Sequence, residues 1–173
     1  MNKKLFFIGL ILIVNLSACF NSTNQNSTMK LSSPNFENNS NIPIKYTCQG
    51  ENISPELNIS DVPADAKSLF LIMDDPDSSN NWVHWLIWNI PPSTKTIPEN
   101  VDQDFAIQGT NSFGTPNYGG PCPPSGTHHY VFKLYALKKN LELTSSTKKD
   151  EAMAAIKGLI ISQTKLTGIY QKQ

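Results

Sequence analysis

Four side chains in this sequence have types and positions suited to chemistry: Asp75, His84, His128 and Tyr130. Two imidazoles that can be protonated and a phenol, with loop N–H groups nearby, suit a small anion such as phosphate. A carboxylate beside a histidine selects its tautomer and raises its pKa, which favours the donor form. Asp75 then need not touch the anion, and an ethanolamine phosphate headgroup would satisfy both signs of charge. Pro76, Tyr118 and the Gly119-Gly120-Pro121 run frame the group. Blander readings compete. A strand-end histidine is commonly structural, and Asp-Asp-Pro-Asp is ordinary Asx-turn chemistry. Asp75, His84 and His128 could form a two-histidine, one-carboxylate metal triad, but no close His-x-x-x-His pair supports it. Ser125 lies near His128 without the strand-turn-helix context of a nucleophile elbow. No catalytic residue, metal or cofactor is expected.

The elements around these residues read as short strands. Ser68 to Met73 is an apolar run that ends in Asp74-Asp75-Pro76-Asp77. Trp82 to Ile90 is a second strand, on which simple alternation puts His84, Leu86, Trp88 and Ile90 on one face. Paired as a hairpin, the two strands would set Asp75 beside His84 at one rim. Alternation in the strand from His128 puts His128, Tyr130, Phe132 and Leu134 on one face and His129, Val131, Lys133 and Tyr135 on the other. Asn111 to Phe132 is a long segment stiffened by proline and freed by glycine, read as a pocket wall up to His128. Leu31 to Ile44 predicts one or two strands, Leu57 to Ser60 and Phe105 to Gln108 short ones, and Ser93 to Asp104 a loop. Thr147 is expected to cap the one helix, with Met153, Ile156 and Leu159 as its apolar stripe and Gly158 its stop. Ile160 to Tyr170 returns to alternation as a last strand. Many short strands and one late helix imply a mainly β chain, a β-sandwich with a peripheral helix.

Residues 1–18 read as an export signal: Lys3 and Lys4, an apolar run from Leu5 to Val14, then small residues before Cys19. Leu-Ser-Ala-Cys fits a lipobox, which makes Cys19 the lipidation site; an ordinary signal peptide is the alternative. Residues 19–29 read as a polar tether and 30–173 as one domain. The expected location is the bacterial envelope, facing the periplasm, with the outer membrane favoured in a two-membrane cell because Phe20 follows the cysteine. The 14 basic residues are all lysine, against 14 acids. No nucleic-acid footprint is present, and any anion must be held without a guanidinium fork. Cys48 and Cys122 remain as an even pair; a disulfide and two buried thiols are both open.

The same motifs resemble the phosphatidylethanolamine-binding protein family, also called Raf kinase inhibitor-like proteins, in its bacterial branch. They are Gly50-Glu51-Asn52-Ile53-Ser54-Pro55, Asp75-Pro76-Asp77, Trp82-Val83-His84-Trp85, Gln108 to Gly114, and Tyr118 to Tyr130. The resemblance covers Leu31 to Tyr170. It implies a Greek-key β-sandwich with few helices and a small-anion pocket. The implied binding set is Asp75, Pro76, His84, Tyr118, Gly120, Pro121, Cys122, His128 and Tyr130, with the loop wall from Gly120 to Pro124. His129 stands where the family usually carries arginine, and the Pro124–His128 segment is short. The pocket is expected to be open, since the chain ends soon after Tyr170. The function implied is non-enzymatic binding of an anion or phospholipid headgroup by a membrane-anchored protein. An inhibitor or modulator of a protease, kinase or host protein is the alternative, and a hydrolase or metalloenzyme is a third reading.

Overall fold

A computed structural model describes residues 28–173. The expectations for the export signal, Cys19 and most of the tether lie outside these residues. Nine strands and one α-helix follow in the order β1 (Lys30–Ser32), β2 (Ser40–Asn41), β3 (Leu57–Ser60), β4 (Ser68–Asp75), β5 (Trp82–Ile90), β6 (Thr96–Ile97), β7 (Ile107–Gln108), β8 (Thr127–Leu137), α1 (Lys149–Ile156) and β9 (Ile160–Gln171). The strands form a three-stranded sheet, β1-β3-β6, and a six-stranded sheet, β2-β9-β8-β4-β5-β7. Strand β6 lies within Ser93–Asp104, which the sequence reading leaves as loop. It is two residues long, too short to show a period.

The large sheet is apolar on both faces because it is covered on both. One face carries Leu69, Leu71, Met73, Phe132 and Leu134, packed against Leu57, Ile59 and Ile97 of the small sheet. The other carries Phe70, Ile72, Leu86 and Trp88, packed against Ala152 and Ile156 of α1. That is why β4, buried along its whole length, reads as a continuous apolar run rather than an alternation. The mainly β sandwich with a peripheral helix is therefore present as expected.

Two details of the expected layout are corrected. Alternation along β5 is broken twice. Met73 pairs with Trp85 but Asp74 pairs with Val83, and Leu69 pairs with Ile90 but Phe70 with Trp88. His84 and Asn89 are the extra residues of two β-bulges. Asn89 adopts φ 58°, and its side chain closes the second bulge by pairing with both backbone groups of Leu141. Consequently Leu86 and Trp88 face the helix, while Ile90 faces the small sheet. His84 lies against Tyr130 on the small-sheet side, with ring centroids 5.1 Å apart.

Thr147, moreover, does not cap α1. The N-cap residue is Lys148, with no side-chain bond. Thr147 is buried, and its backbone joins Thr144 and Thr110. Asp150 and Glu151 do occupy the first turn, where the helix dipole favours them. Replacing Phe132, fully buried between the sheets and 6.0 Å from the Phe36 ring, should cost about 3–5 kcal/mol as Phe132→Ala. Urea unfolding at constant m-value is the measurement.

Candidate functional site

The end of β4, the start of β5 and the start of β8 meet at one rim of the large sheet, and a cavity of about 460 Å3 opens there. Asp75, His84, Cys122, His128 and Tyr130 line it, as the sequence reading expects, together with Asp77, Ser78, Trp82, Phe113, Pro123 and Pro124. Asp75 is almost completely buried. Its Oδ1 accepts bonds from the backbone N–H groups of Asp77 (3.0 Å) and Ser78 (3.1 Å). Its Oδ2 lies 2.7 Å from His128 Nδ1. The carboxylate thus closes an Asx-type turn and orients an imidazole at once. Asp75 and His84 share the rim as expected, but the imidazole hydrogen-bonded to the carboxylate is His128. The bulge at His84 brings its ring to the same cavity as Asp75, but there it bonds to Gly119 rather than to the carboxylate.

His84 Nδ1 lies 2.7 Å from the Gly119 carbonyl. A carbonyl only accepts, so Nδ1 carries the proton. In the neutral ring Nε2 is then an acceptor, and in the charged ring a donor. Burial pushes the His84 pKa below its ordinary value, against raising contributions from Gly119 and the Asp75 charge. His128 likewise presents Nε2 once Nδ1 is committed to Asp75. No group accepts the buried Tyr130 O–H; the Cys122 backbone N–H approaches its oxygen, and burial raises its pKa so that it stays a phenol. Buried donors are rarely left without an acceptor in folded proteins. This one is a donor in the cavity wall that a ligand or water would satisfy.

Pro76, Tyr118, Gly120 and Pro121 do not line this cavity. Pro76 is exposed on the turn. The other three stand behind the wall and hold it. Tyr118 donates to the Tyr46 carbonyl at 2.8 Å, and its ring meets Trp85 edge-on. Gly120 N–H donates to Asn52 Oδ1 at 2.8 Å. A Cβ on Gly120 would fall 2.5 Å from both Asn52 Oδ1 and the Tyr46 carbonyl oxygen. Pro121 accepts from Cys48 N–H, and Cys48 is disulfide-bonded to Cys122 across 74 residues. That settles the open cysteine assignment. Cross-linking a loop of this length restricts the unfolded chain by an amount worth about 4 kcal/mol.

Phe113 and Trp82, like Asp77, Ser78 and Ser79, line the cavity without having been in the expected binding set. Their rings meet edge-on at 5.4 Å, and Phe113 meets His84 at 5.5 Å. Phe113 is half exposed, so only its place in the Gln108–Gly114 motif marked it. His129, on the opposite face as alternation predicts, takes Asp77 Oδ2 with both its backbone N–H and its ring Nδ1, each at 2.7 Å. These bonds hold the Asp77 carboxyl below the usual carboxylate range. Two consecutive histidines therefore hold two carboxylates of one turn. No group of three or more His, Cys, Asp or Glu among the described residues could hold a metal ion.

A histidine whose folded pKa is depressed is charged more readily unfolded. The His84 contribution is therefore intact above the ordinary histidine value near 6.5 and is lost as pH falls below it. The ligand-free protein should lose stability as pH falls below that value, and His84→Gln should flatten that part of the profile. Thermal unfolding across pH provides the comparison.

The family model described as phosphatidylethanolamine-binding protein matches residues 32–171. The chain is 46% identical over 150 residues to a UPF0098 protein of Methanothermobacter thermautotrophicus, covering 83% of this chain and 99% of that one. It is 42% identical over 150 residues to a UPF0098 protein of Chlamydia pneumoniae, with the same coverage. Among solved structures it is similar to a putative phosphatidylethanolamine-binding protein homologue from Chlamydia trachomatis, with TM-score 0.81, 40% identity, and 84% of this chain and 99% of that chain covered. It is also similar to YbcL of E. coli, described as a member of the mammalian family, with TM-score 0.79, 29% identity, and coverage of 85% and 100%. With this match across both sheets and the cavity they hold, the chain belongs to the phosphatidylethanolamine-binding protein family.

Proposed function

We propose that this protein is a non-enzymatic binding module for a phosphate-bearing ligand, a phospholipid headgroup in particular, held at the bacterial envelope by a lipid on Cys19. The observation that carries this reading is the arrangement of three hydrogen-bonding groups on one cavity. His84 and His128 each have Nδ1 occupied and Nε2 free, and the Tyr130 hydroxyl lacks an acceptor for its proton. A phosphate group bound between them shares a proton with His84: either the ring is protonated and donates, or a P–OH group donates to neutral Nε2. The cavity is far larger than an inorganic anion, and Trp82, Phe113, Pro123 and Pro124 give it an apolar wall, which suits an organic phosphate. Asp77 on the rim can meet an ammonium group.

Two features support binding rather than turnover. Cys122 is locked in its disulfide, and neither histidine is hydrogen-bonded to a serine, threonine or cysteine side chain among the described residues. The disulfide also supports an oxidising compartment. Calorimetric titration with inorganic phosphate and with phosphoethanolamine tests the reading. His84→Ala and His128→Ala should each weaken binding by about 10- to 100-fold, the worth of one charge-assisted hydrogen bond. Affinity should rise as pH falls from 7.5 to 5.5, opposite in sign to the stability of the ligand-free protein. Unchanged affinity in both variants would sink the proposal.

A further inference from the structure

Charge is unevenly distributed along this chain. Eleven of the 14 acidic residues precede position 105, and eight of the 14 lysines follow it. The fold places part of that excess at one end of the large sheet: Lys138, Lys139 and Lys157 lie there with Lys67, whereas Lys148 and Lys149 lie beside Trp82 near the cavity and Lys133 stands opposite Lys165 in mid-strand. The cavity, with Asp75 and Asp77, occupies the end of the large sheet where β4 finishes and β8 starts. The opposite end, where β4 and β9 start and β8 and α1 finish, collects lysines. Lys67 N–H donates to the Leu137 carbonyl, and Lys138 N–H to the Leu159 carbonyl. The Lys139 carbonyl accepts from Ser68 Oγ. Lys157 follows the last residue of α1, and Leu137 pairs with Ile160.

All four lysines are exposed, and none is within ion-pair distance of a carboxylate among the described residues. Lys30, Lys45, Lys133 and Lys149, by contrast, are paired. Only Asp65 and Glu142 lie close in sequence, so the cluster keeps a positive excess. Ile160 stands among them as one of the exposed large apolar side chains. Unpaired lysines around an exposed isoleucine contribute little to folding, because exposed charges are solvated and an exposed isoleucine gains nothing from burial. At a lipid surface both are useful: each lysine is drawn to anionic headgroups, and the isoleucine enters the interface. We propose that this end of the large sheet, Lys67, Lys138, Lys139 and Lys157 around Ile160, docks on an anionic phospholipid surface. The 11-residue β8 spans roughly 36 Å at strand rise, so docking there turns the cavity mouth away from that bilayer, and the phosphate-bearing ligand taken in this orientation is a free one rather than a headgroup of the same bilayer.

The test compares partitioning of the full chain onto vesicles of phosphatidylcholine alone and of phosphatidylcholine with phosphatidylglycerol. The apolar N-terminal run adds the same attraction to both, so their ratio isolates charge. The wild type should favour the anionic vesicles, and raised salt should remove the preference. Lys138→Glu with Lys157→Glu should lower the ratio by about tenfold or more, since one lysine near such a surface is worth roughly fivefold. An unchanged thermal midpoint shows that the pair still folds; if it does not, Lys138→Gln with Lys157→Gln replaces it with a smaller expected loss. Equal partitioning of the wild type onto both vesicles, or the same ratio in the variants, overturns the proposal. Retention of an acidic protein without vesicle preference overturns it too. Phosphate binding at the cavity is unaffected by either result.

Discussion

The Asp75 carboxylate is the constraint on which the site depends. One oxygen takes two backbone N–H groups of the turn after β4, and the other takes the His128 ring at the start of β8. A buried carboxylate without partners would cost several kcal/mol. With three donors it instead ties two strands and a turn to one point. His129 and Asp77 repeat the device on the outer face. The turn is thus held from both sides of β8, and the cavity has a rigid corner.

The second constraint is the bulge at His84. An unbroken strand would have put this ring on the helix side with Leu86 and Trp88, since side chains alternate strictly. One extra residue returns it to the side of Tyr130 and Asp75. The Gly119 carbonyl then fixes its tautomer, and the loop carrying that carbonyl is held by Asn52, Tyr46 and the Cys48–Cys122 bond. Glycine at 120 is needed because backbone from another segment passes within contact distance. The loop is therefore a supported wall, and the residues that support it are distinct from those that face a ligand.

Burial gives the two histidines different characters. His84 is kept toward its neutral form by desolvation, while the His128 Nδ1–H donates to the Asp75 carboxylate. A cavity whose His84 ring is reluctant to charge accepts an anion best when a proton comes with it.

Much of this was legible in residues alone. The buried strand Ser68–Asp75, the aromatic strand Trp82–Ile90, the long strand after the proline-rich loop and the late helix all carry local signals: apolar runs, proline punctuation and period. Asp75, His84, His128 and Tyr130 stood out because each polar group opens or closes an apolar strand. Local patterns carry no record of bulges, so the face of His84 and the true partner of Asp75 were not readable. Nor was the division between residues that face the cavity, such as Phe113 and Trp82, and those that brace it, such as Tyr118 and Gly120. Composition and order thus determined which strands form and which side chains are available for chemistry, because burial and period act locally along the chain. Which of them meet was decided by contacts between segments far apart in the chain, 74 residues for Cys48 and Cys122 and 129 for Asn38 and Thr167, and only tertiary packing brings such segments together.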